Sequence, residues 1–588
     1  MKKQILIAIL LVLSISFCGL IAQDKSEIMQ AMRDEIKRTK NELQLETLEK
    51  PYFVEYTLKQ LSPIVIHSTL GSIVDIDSNK STLLDVGLRV GSYQLDNTNY
   101  FDIALSFFGS GDDEEDFSNR NVPINLDYNS LRRELWLATD AAYKQASEIY
   151  SKKLATMRNR IRQDTTYDFS LTKIAQYDFK TELPKFDIKY FENLSKELSA
   201  IFAEYPSINL SSVTIEFIPK QVYYANSEGI EYVRTDLYIG LEAAIASQSE
   251  DGMPVANFYT ASAQNPKDLP AKDSLIRAMR AIANNLTKQK SAQFIEEPYS
   301  GPILFEGQAA AEAFAQVFAP NLVAQRQSMT EGGMRQSDRY SAFQMKIGGR
   351  VLPEFLSVKD SPFIKSFDKT IVIGHYNIDD EGVLPQDVNL VEDGYLKNLL
   401  SSRIPIRRIK QSNGHKRGGA PMFSTLQLYP TKDKQSNLKE MREKMMKLVK
   451  DRDLPYGIIV RKVMNQNIMF TVLQRITGGS FPSPRSEGRL SLVEAYKVFP
   501  DGKEELIRGA EASGLTVQSF KDIIMADNNF YTCNFLAPSV VSSFLSGGDQ
   551  YVGSTVITPD ILFEDGEIRP IEADFPKPPL LSNPIGKK

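Results

Sequence analysis

The chain has 588 residues, enough for two or more domains that each bury a sizeable core. Hydrophobic residues at 42% and charged residues at 24% are typical of a globular protein and exclude a disordered one. The 69 Lys and Arg against 74 Asp and Glu give a formal net charge of -5 without a long basic run, which excludes the charge pattern of a nucleic-acid-binding protein. Two cysteines cannot form a disulfide framework.

Residues 1–22 predict a secretory signal peptide. Lys2 and Lys3 precede an apolar run that ends at Phe17, and Ala22 is a suitable cleavage position. Lipidation at Cys18 is the alternative, but phenylalanine is bulkier than the residue expected before a lipidated cysteine. No later stretch reaches the roughly 18 apolar residues that a membrane-spanning helix needs. We therefore expect an exported protein of the periplasm or cell envelope, with no transmembrane segment.

Residues 23–295 predict an N-terminal domain of mixed helices and strands. Its first helix starts near Asp24 and places Ile28, Met32 and Ile36 on one face. The acidic cluster Asp112–Asp116 lacks the spaced ligands of a calcium loop and is interpreted as a solvated loop. The other predicted elements are strands at 52–58, 64–76, 82–95, 100–108, 211–218, 221–226 and 232–245, and helices at 129–161, 191–205 and 273–286.

Residues 296–588 predict a strand-rich C-terminal domain that begins near Glu296. Pairs such as Asp393-Gly394 and Asn413-Gly414 lie between alternating runs and predict turns of β-hairpins. Only residues 437–450 have a clear helical pattern within this strand-rich part. The predicted fold class is therefore α+β, with a mixed first half and a strand-rich second half.

A short helix with a narrow polar stripe opens the second half, in the sequence GPILFEGQAAAEAFAQVFAP. A strand and a turn at Glu306-Gly307 precede it. The helix is otherwise apolar, but Gln308, Glu312 and Gln316 are four positions apart and share one face. The stripe is either a hydrogen-bonded seam in a core or what remains of a working site.

The chain has only three histidines, so few of its residues could bind a metal ion or act in catalysis. His67 is interpreted as a packed or edge residue of a strand, His375 as the end of a strand, and His415 as an exposed loop residue. No two of them are close enough in sequence to predict a metal pair. Cys533 lies among aromatic and apolar residues and is interpreted as a small core residue. The sequence has no nucleophile elbow, no P-loop and no dinucleotide-binding glycine pattern.

The second half resembles the C-terminal domain of the TldD/PmbA family, which is named after a zinc peptidase and its partner subunit. The resemblance is carried by Asp379–Gly382, Glu392–Gly394 and Asn413-Gly414, and by residues 476–514. In the first half, residues 74–93 and 223–246 are similar to the family's N-terminal domain, although less closely. The resemblance implies two domains, 23–295 and 296–588.

The resemblance also assigns roles to the polar stripe. Active members carry a His-Glu-x-x-x-His motif on this helix, whose two histidines bind zinc together with a distant cysteine. Glu312 falls on the glutamate, which is the general base, and Cys533 on the cysteine ligand. Ala311 and Gln316 fall on the histidines, and neither is a zinc ligand. The resemblance therefore implies a degenerate site with no cofactor of its own, and zinc only where a partner chain supplies it.

The expected function is that of an exported, non-catalytic partner subunit in proteolysis. Family pairs enclose a cavity in which unfolded peptides are cut, so the expected partner is a TldD-like active subunit in a heterodimer or hetero-oligomer. Two alternatives remain open. The chain is either a peptidase with a relocated site built from Glu306, Glu312, Cys533 and His375 or His415, or a homodimeric envelope module that binds peptides or glycans.

Overall fold

The computed structural model describes residues 27–45, 48–101, 120–158, 165–330, 342–465, 488–538, 551–572 and 575. The predicted signal peptide (1–22) and the expected helix start at Asp24 lie outside these residues, as do the acidic cluster Asp112–Asp116 and most of the predicted strand at 100–108. The α-helices are 27–42 (α1), Tyr128–Arg158 (α2), Ile188–Ala200 (α3), Lys272–Ser291 (α4), Gln308–Ala313 (α5) and Leu438–Asp451 (α6).

The first half is built on one large sheet with helices packed against it. Helices α1 and α2 bury their apolar stripes against strands β1 and β4, and α3 and α4 pack on β8, β9 and β10. The sheet has the order β10-β9-β8-β1-β4-β6, with β2 beside β8, β3 beside β2 and β7 beside β9. The strands of this half are Pro51–Leu61 (β1), Ile64–Thr69 (β2), Ser72–Asp77 (β3), Ser81–Val90 (β4), Tyr100–Phe101 (β5), Arg120–Val122 (β6), Gln176–Phe179 (β7), Leu210–Asn226 (β8), Glu231–Gln248 (β9) and Pro254–Ala263 (β10).

Three predictions in this half were wrong in detail. The strand expected at 64–76 is a hairpin, because Leu70 and Gly71 both have positive φ, 47° and 83°, and reverse the chain. The two strands expected at 211–218 and 221–226 are one strand, β8, which continues through Pro219. Strand β10 was not predicted at all.

The second half is strand-rich and contains two larger sheets. The first has the order β11-β24-β23-β22-β12-β29-β25, with β26 beside β29, and the second has the order β18-β17-β14-β21-β28-β27. The strands are Gln293–Phe294 (β11), Tyr299–Phe305 (β12), Met329–Thr330 (β13), Leu356–Asp360 (β14), Ser366–Phe367 (β15), Thr370–Ile371 (β16), Val388–Glu392 (β17), Tyr395–Leu396 (β18), Lys416–Arg417 (β19), Ala420–Pro421 (β20), Thr425–Pro430 (β21), Gly457–Val463 (β22), Leu490–Val498 (β23), Glu504–Arg508 (β24), Ala510–Ser513 (β25), Ile523–Ala526 (β26), Tyr531–Pro538 (β27), Tyr551–Thr558 (β28) and Ile561–Pro570 (β29).

Local sequence signals explain several of these elements. Asn437 and Glu440 form a reciprocal capping box at the start of α6, the helix expected at 437–450. Asp393-Gly394 closes the hairpin of β17 and β18, as expected. Asn413-Gly414 turns the chain but closes no hairpin, since the neighbouring hairpin of β19 and β20 turns at residues 418–419. The predicted α+β class, with a mixed first half and a strand-rich second half, is confirmed.

Strand pairing changes near the expected domain boundary. Strands β1–β4 and β6–β10 pair among themselves, whereas β11 already pairs with β24 of the second half. The short parallel pair of β5 and β13 joins the two halves. The boundary at residue 296 stays a prediction. Among the described residues, no helix is both long and apolar enough to cross a membrane.

A buried arginine ties the two halves together. Arg403 is fully buried and holds both carboxylate oxygens of Glu228, at 2.7 and 2.8 Å. The same guanidinium donates twice to the carbonyl of Ser170 and lies 4.0 Å from the ring centre of Phe169. Arg89 lies 3.8 Å from the same ring. The segment that contains Phe169 is therefore held between side chains of both halves.

We expect Arg403→Leu to destabilise the protein strongly, because it leaves Glu228, whose side chain is only 13% exposed, without its counter-charge. Removing one partner of a buried ion pair costs about 3–5 kcal/mol. Arg452→Leu is the matched control, since Arg452 pairs with Asp565 and Glu564 at the surface and its loss costs about 1 kcal/mol or less. Urea denaturation followed by circular dichroism measures both, and equal losses of stability would contradict the assignment.

Candidate functional site

Helix α5 lies at the centre of the candidate site and starts at a tight turn. Strand β12 ends at Phe305, and Gly307 then adopts a φ of 54°, a value that favours glycine. The helix continues into a π turn over Phe314–Phe318, in which the N–H of Ala319 donates to the carbonyl of Phe314. Such turns are rare in proteins overall, and those that occur often lie at functional sites. Helix α5 packs closely on β22, β27 and β28 because four of its residues are fully buried alanines. These are Ala309, Ala310, Ala311 and Ala313.

Gln308 takes the place of a missing strand beside β22. Strand β12 pairs with β22 only as far as Val460, so the last backbone groups of β22 have no strand partner on that edge. The Nε2 of Gln308 donates to the carbonyl of Val463 at 3.0 Å, and the N–H of Val463 donates to Oε1 of Gln308 at 2.9 Å. The side-chain amide therefore continues the hydrogen-bond ladder.

Gln316 and Glu312 complete the same seam beyond the end of β22. The Nε2 of Gln316 donates to the carbonyl of Met464 at 2.9 Å and to Oε2 of Glu312 at 2.8 Å. The Nδ2 of Asn465 donates to Oε1 of Glu312 at 2.6 Å. The sequence left open whether the stripe is a seam or a working site, and its three members do form a hydrogen-bonded seam. Asn465 had no signal in the sequence, because it lies 153 positions from Glu312.

Burial dominates the electrostatics of Glu312. Its residue is 2% exposed, and desolvation raises the pKa of the carboxyl to about 7. The hydrogen bonds from Gln316 and Asn465 act in the opposite direction and lower the pKa, but they do not offset the burial. A carboxyl with this pKa is largely protonated below neutral pH.

Cys533 lies next to Glu312, on strand β27 opposite Val556. It is a free cysteine and is buried. Desolvation raises the pKa of its thiol well above the usual value, and the neighbouring Glu312 raises it further. The structure therefore brings together the two residues that the resemblance assigned to one site. Both residues are buried there, and burial raises the pKa of each.

The donor set at this position does not suit a catalytic zinc ion. Ala311 has no donor atom, and the amide of Gln316 is already bonded to a carbonyl and a carboxyl. Both oxygens of Glu312 accept hydrogen bonds from amides, which leaves Cys533 alone as a ligand. Zinc sites in enzymes use three protein ligands. In the described ranges, no three His, Cys, Asp or Glu side chains come together as a metal-binding group.

The other residues of the relocated-site alternative are engaged elsewhere. Glu306 is bound by Arg442 at 2.8 Å and by Arg461 at 2.9 Å. His375 is half-buried, and burial lowers the pKa of its imidazole, with a further contribution from Lys365. These contacts neutralise the carboxylate and favour the uncharged imidazole.

The prediction that His415 is an exposed loop residue was wrong. Its side chain is fully buried, with Nε2 at 3.1 Å from a carboxylate oxygen of Asp360 and Nδ1 at 2.9 Å from the carbonyl of Asn413. The partner that buries it lies 55 positions away and is not visible in the local sequence. His67 is a packed strand residue, as predicted, and its Nδ1 lies 3.0 Å from the hydroxyl of Thr214.

Comparison with known proteins identifies the second half. Residues 298–569 match the family model described as the PmbA/TldA metallopeptidase C-terminal domain. Residues 298–569 therefore form a domain of the TldD/PmbA family. No curated protein matches the chain at a significant level.

Solved structures share the fold of this chain over most of its length. A structure described as a modulator of a DNA gyrase, from Thermotoga maritima, has a TM-score of 0.56 at 13% identity and covers 88% of this chain and 96% of its own. TldE from Thermococcus kodakarensis has a TM-score of 0.54 at 13% identity and covers 92% and 99%. A structure described as a modulator of DNA gyrase, from Bacteroides thetaiotaomicron, has a TM-score of 0.56 at 11% identity and covers 93% and 99%.

We expect Cys533 to react slowly with iodoacetamide in the folded protein, because its thiol is buried and its pKa is raised. Alkylation in the native state should be roughly a hundredfold slower than in urea, since the thiolate is the reactive form. Lys439→Cys in a Cys533→Ser background is the accessible reference, because Lys439 is 86% exposed. Equal labelling rates for Cys533 and this reference would show that the thiol is accessible.

We expect Glu312→Gln to change the pH dependence of stability. The pKa of Glu312 is raised in the folded state. The contribution of its carboxyl to the free energy of unfolding is therefore fully present below the unfolded-state pKa near 4.5 and is lost as the pH rises towards 7. Between pH 5 and 7.5 the unfolding free energy should therefore shift in favour of the variant by roughly 1–3 kcal/mol. Urea titrations at both pH values measure the shift. Glu443→Gln, at a side chain that is 66% exposed, should show none.

Proposed function

We propose that this chain is an exported, non-catalytic partner subunit of a zinc peptidase that cleaves unfolded peptides. Residues 1–22 are removed on export, and residues 23–295 and 296–588 form the two domains of the mature subunit. The catalytic chain is a TldD-like protein that keeps the zinc motif, and the two assemble as a heterodimer or hetero-oligomer. Zinc, where present, is held by that partner.

The hydrogen-bonded seam on α5 is the observation that carries this proposal. A family peptidase needs positions 311 and 316 as metal ligands, whereas here Ala311 has no donor and Gln316 is bonded to Met464 and Glu312. A general base must be ionised and must contact a metal-bound water. Both oxygens of Glu312 instead accept hydrogen bonds from the amides of Gln316 and Asn465, so the carboxyl is engaged in the seam.

Metal analysis of the purified chain tests the absence of a site. We expect far less than one zinc per chain, both in the wild type and in Cys533→Ala. One zinc per chain that is lost in Cys533→Ala would contradict the proposal, because it would mean that the thiol is a ligand. Affinity purification from the native envelope tests the partner, and we expect a second chain that carries the complete zinc motif.

In the assembled complex, we expect Glu312→Gln to leave peptide hydrolysis within about twofold of the wild-type rate, because no chemistry on this chain uses the carboxyl. Loss of a true general base costs on the order of a hundredfold or more. An unstructured peptide is the substrate, and circular dichroism verifies folding. A hundredfold loss in a folded complex would mean that α5 is catalytic.

The same assay on the isolated chain separates the two alternatives from the proposal. Hydrolysis by the chain alone that is abolished by a chelator and by Glu312→Gln would favour the relocated peptidase site. A homodimer with saturable binding of a peptide or glycan, and no second chain in the purified material, would favour a binding module of the cell envelope.

A further inference from the structure

Two buried aspartates meet at the start of helix α5. Asp527 follows strand β26 and is 1% exposed, and Asp560 lies in the turn between β28 and β29 and is 2% exposed. The N–H of Asp560 donates to Oδ1 of Asp527 at 2.9 Å, and the N–H of Asn529 donates to the same oxygen at 3.1 Å. Two separate chain segments are therefore joined through these two residues, which we call the aspartate pair.

The aspartate pair also holds the first residue of the turn into α5. Oδ1 of Asp560 accepts a hydrogen bond from the N–H of Gly307 at 2.6 Å. Gly307 is the N-cap residue of α5 and supplies no side chain to cap the helix. The contact thus connects the aspartate pair to the helix that carries Glu312, five residues further along the chain.

The hydrogen bonds indicate that the aspartate pair shares a proton. Oδ2 of Asp527 is buried and accepts no hydrogen bond from an N–H group or a hydroxyl of the described residues. The carboxyl of Asp560 lies within hydrogen-bonding reach of Asp527, so a proton on Asp560 supplies the missing donor. A carboxylate oxygen that is buried without a donor is costly, and a shared proton removes that cost.

The charged groups around the aspartate pair do not offset a second negative charge. Glu306 faces it from the turn before α5 and raises the pKa of both aspartates further. Arg442 of α6 and Arg461 of β22 are nearby but bind Glu306 and Glu504 of β24. Within the described residues, no lysine, arginine or histidine forms an ion pair with either aspartate. Burial raises the pKa of Asp560 to about 7 and also raises that of Asp527.

We propose that Asp527 and Asp560 form a proton-dependent latch that fastens the start of α5 to the turns after β26 and β28. With one shared proton, the aspartate pair bonds Gly307 and joins the three segments. With both carboxyls ionised, two negative charges lie beside Glu306 in a buried site, and their repulsion loosens the start of the helix. The latch thereby couples the proton concentration around the protein to the seam on α5.

The direction of the pH effect follows from the pKa values of Asp527 and Asp560, which are raised in the folded state. The contribution of the latch is complete below the unfolded pKa near 3.8, decreases as the pH rises, and is lost once the pH passes about 7. Opening of the start of α5 should therefore increase by up to about tenfold per pH unit between pH 5 and 7 and then level off.

Hydrogen exchange on the full chain, measured by mass spectrometry and corrected for the intrinsic pH dependence of exchange, tests the latch. The segments to follow contain the amides of Gly307, Asn529 and Asp560, which donate to the two carboxyls. The key variant is Asp560→Asn, because its amide imitates the protonated carboxyl: its oxygen still accepts from Gly307 and its NH2 donates to Asp527.

We expect the wild type and Asp560→Asn to be equally protected at pH 5, within about threefold, and the variant to be at least about tenfold more protected at pH 7.5. Glu312 is present in both proteins, so the difference between them reports the aspartate pair alone. Asp522→Asn, at an exposed aspartate nearby, should behave as the wild type does.

If the ratio of protection in Asp560→Asn to protection in the wild type is the same at pH 5 and at pH 7.5, the latch is overturned. If Asp560→Asn does not fold, Asp527→Asn replaces it, since it too leaves a single carboxyl in the aspartate pair. Wild-type protection of the three segments that does not change between pH 5 and 7.5 would overturn the proposal without any variant.

Discussion

The polar edge of strand β22 determines the chemistry of the candidate site. The strand runs beyond Val460, where its neighbour β12 stops, and its remaining backbone groups must still find partners. Helix α5 fills that position, so the groups that satisfy the backbone are side chains on the helix, Gln308 and Gln316. A side chain that completes a backbone ladder is not free to bind a metal. The structural requirement and a catalytic zinc site therefore compete for the same position, 316.

This competition also explains why an acid stands at position 312. The NH2 groups of Gln316 and Asn465 both donate towards that side chain, from two directions. A carboxyl group offers two acceptor oxygens, whereas a glutamine amide offers one oxygen and one NH2 group. Hydrogen bonding alone thus accounts for a carboxyl at position 312. The presence of the glutamate is not, by itself, an argument for peptidase activity.

Local patterns allowed the sequence to predict the seam but not its partners. The four-residue spacing of Gln308, Glu312 and Gln316 placed them on one face, and the capping box at Asn437 marked α6, because both signals act within a single helical turn or two. Partners that are distant in sequence were missed: Asp360 buries His415 from 55 positions away, and Asn465 bonds Glu312 from 153. The hairpin at Leu70-Gly71 was missed because leucine is an unusual residue at positive φ.

Buried acids in this protein are stabilised in three different ways, and the difference determines where pH acts. Glu228 is paired with Arg403, so its charge is matched inside the fold. Glu312 is held by neutral amides, and the aspartate pair is held by backbone N–H groups and a shared proton, so neither has a counter-charge. A buried acid without a counter-charge is stable mainly in its protonated form. Both of these sites border α5, and the tie between the two halves does not. Changes of pH around neutrality therefore act on the helix of the candidate site through these two buried acidic groups.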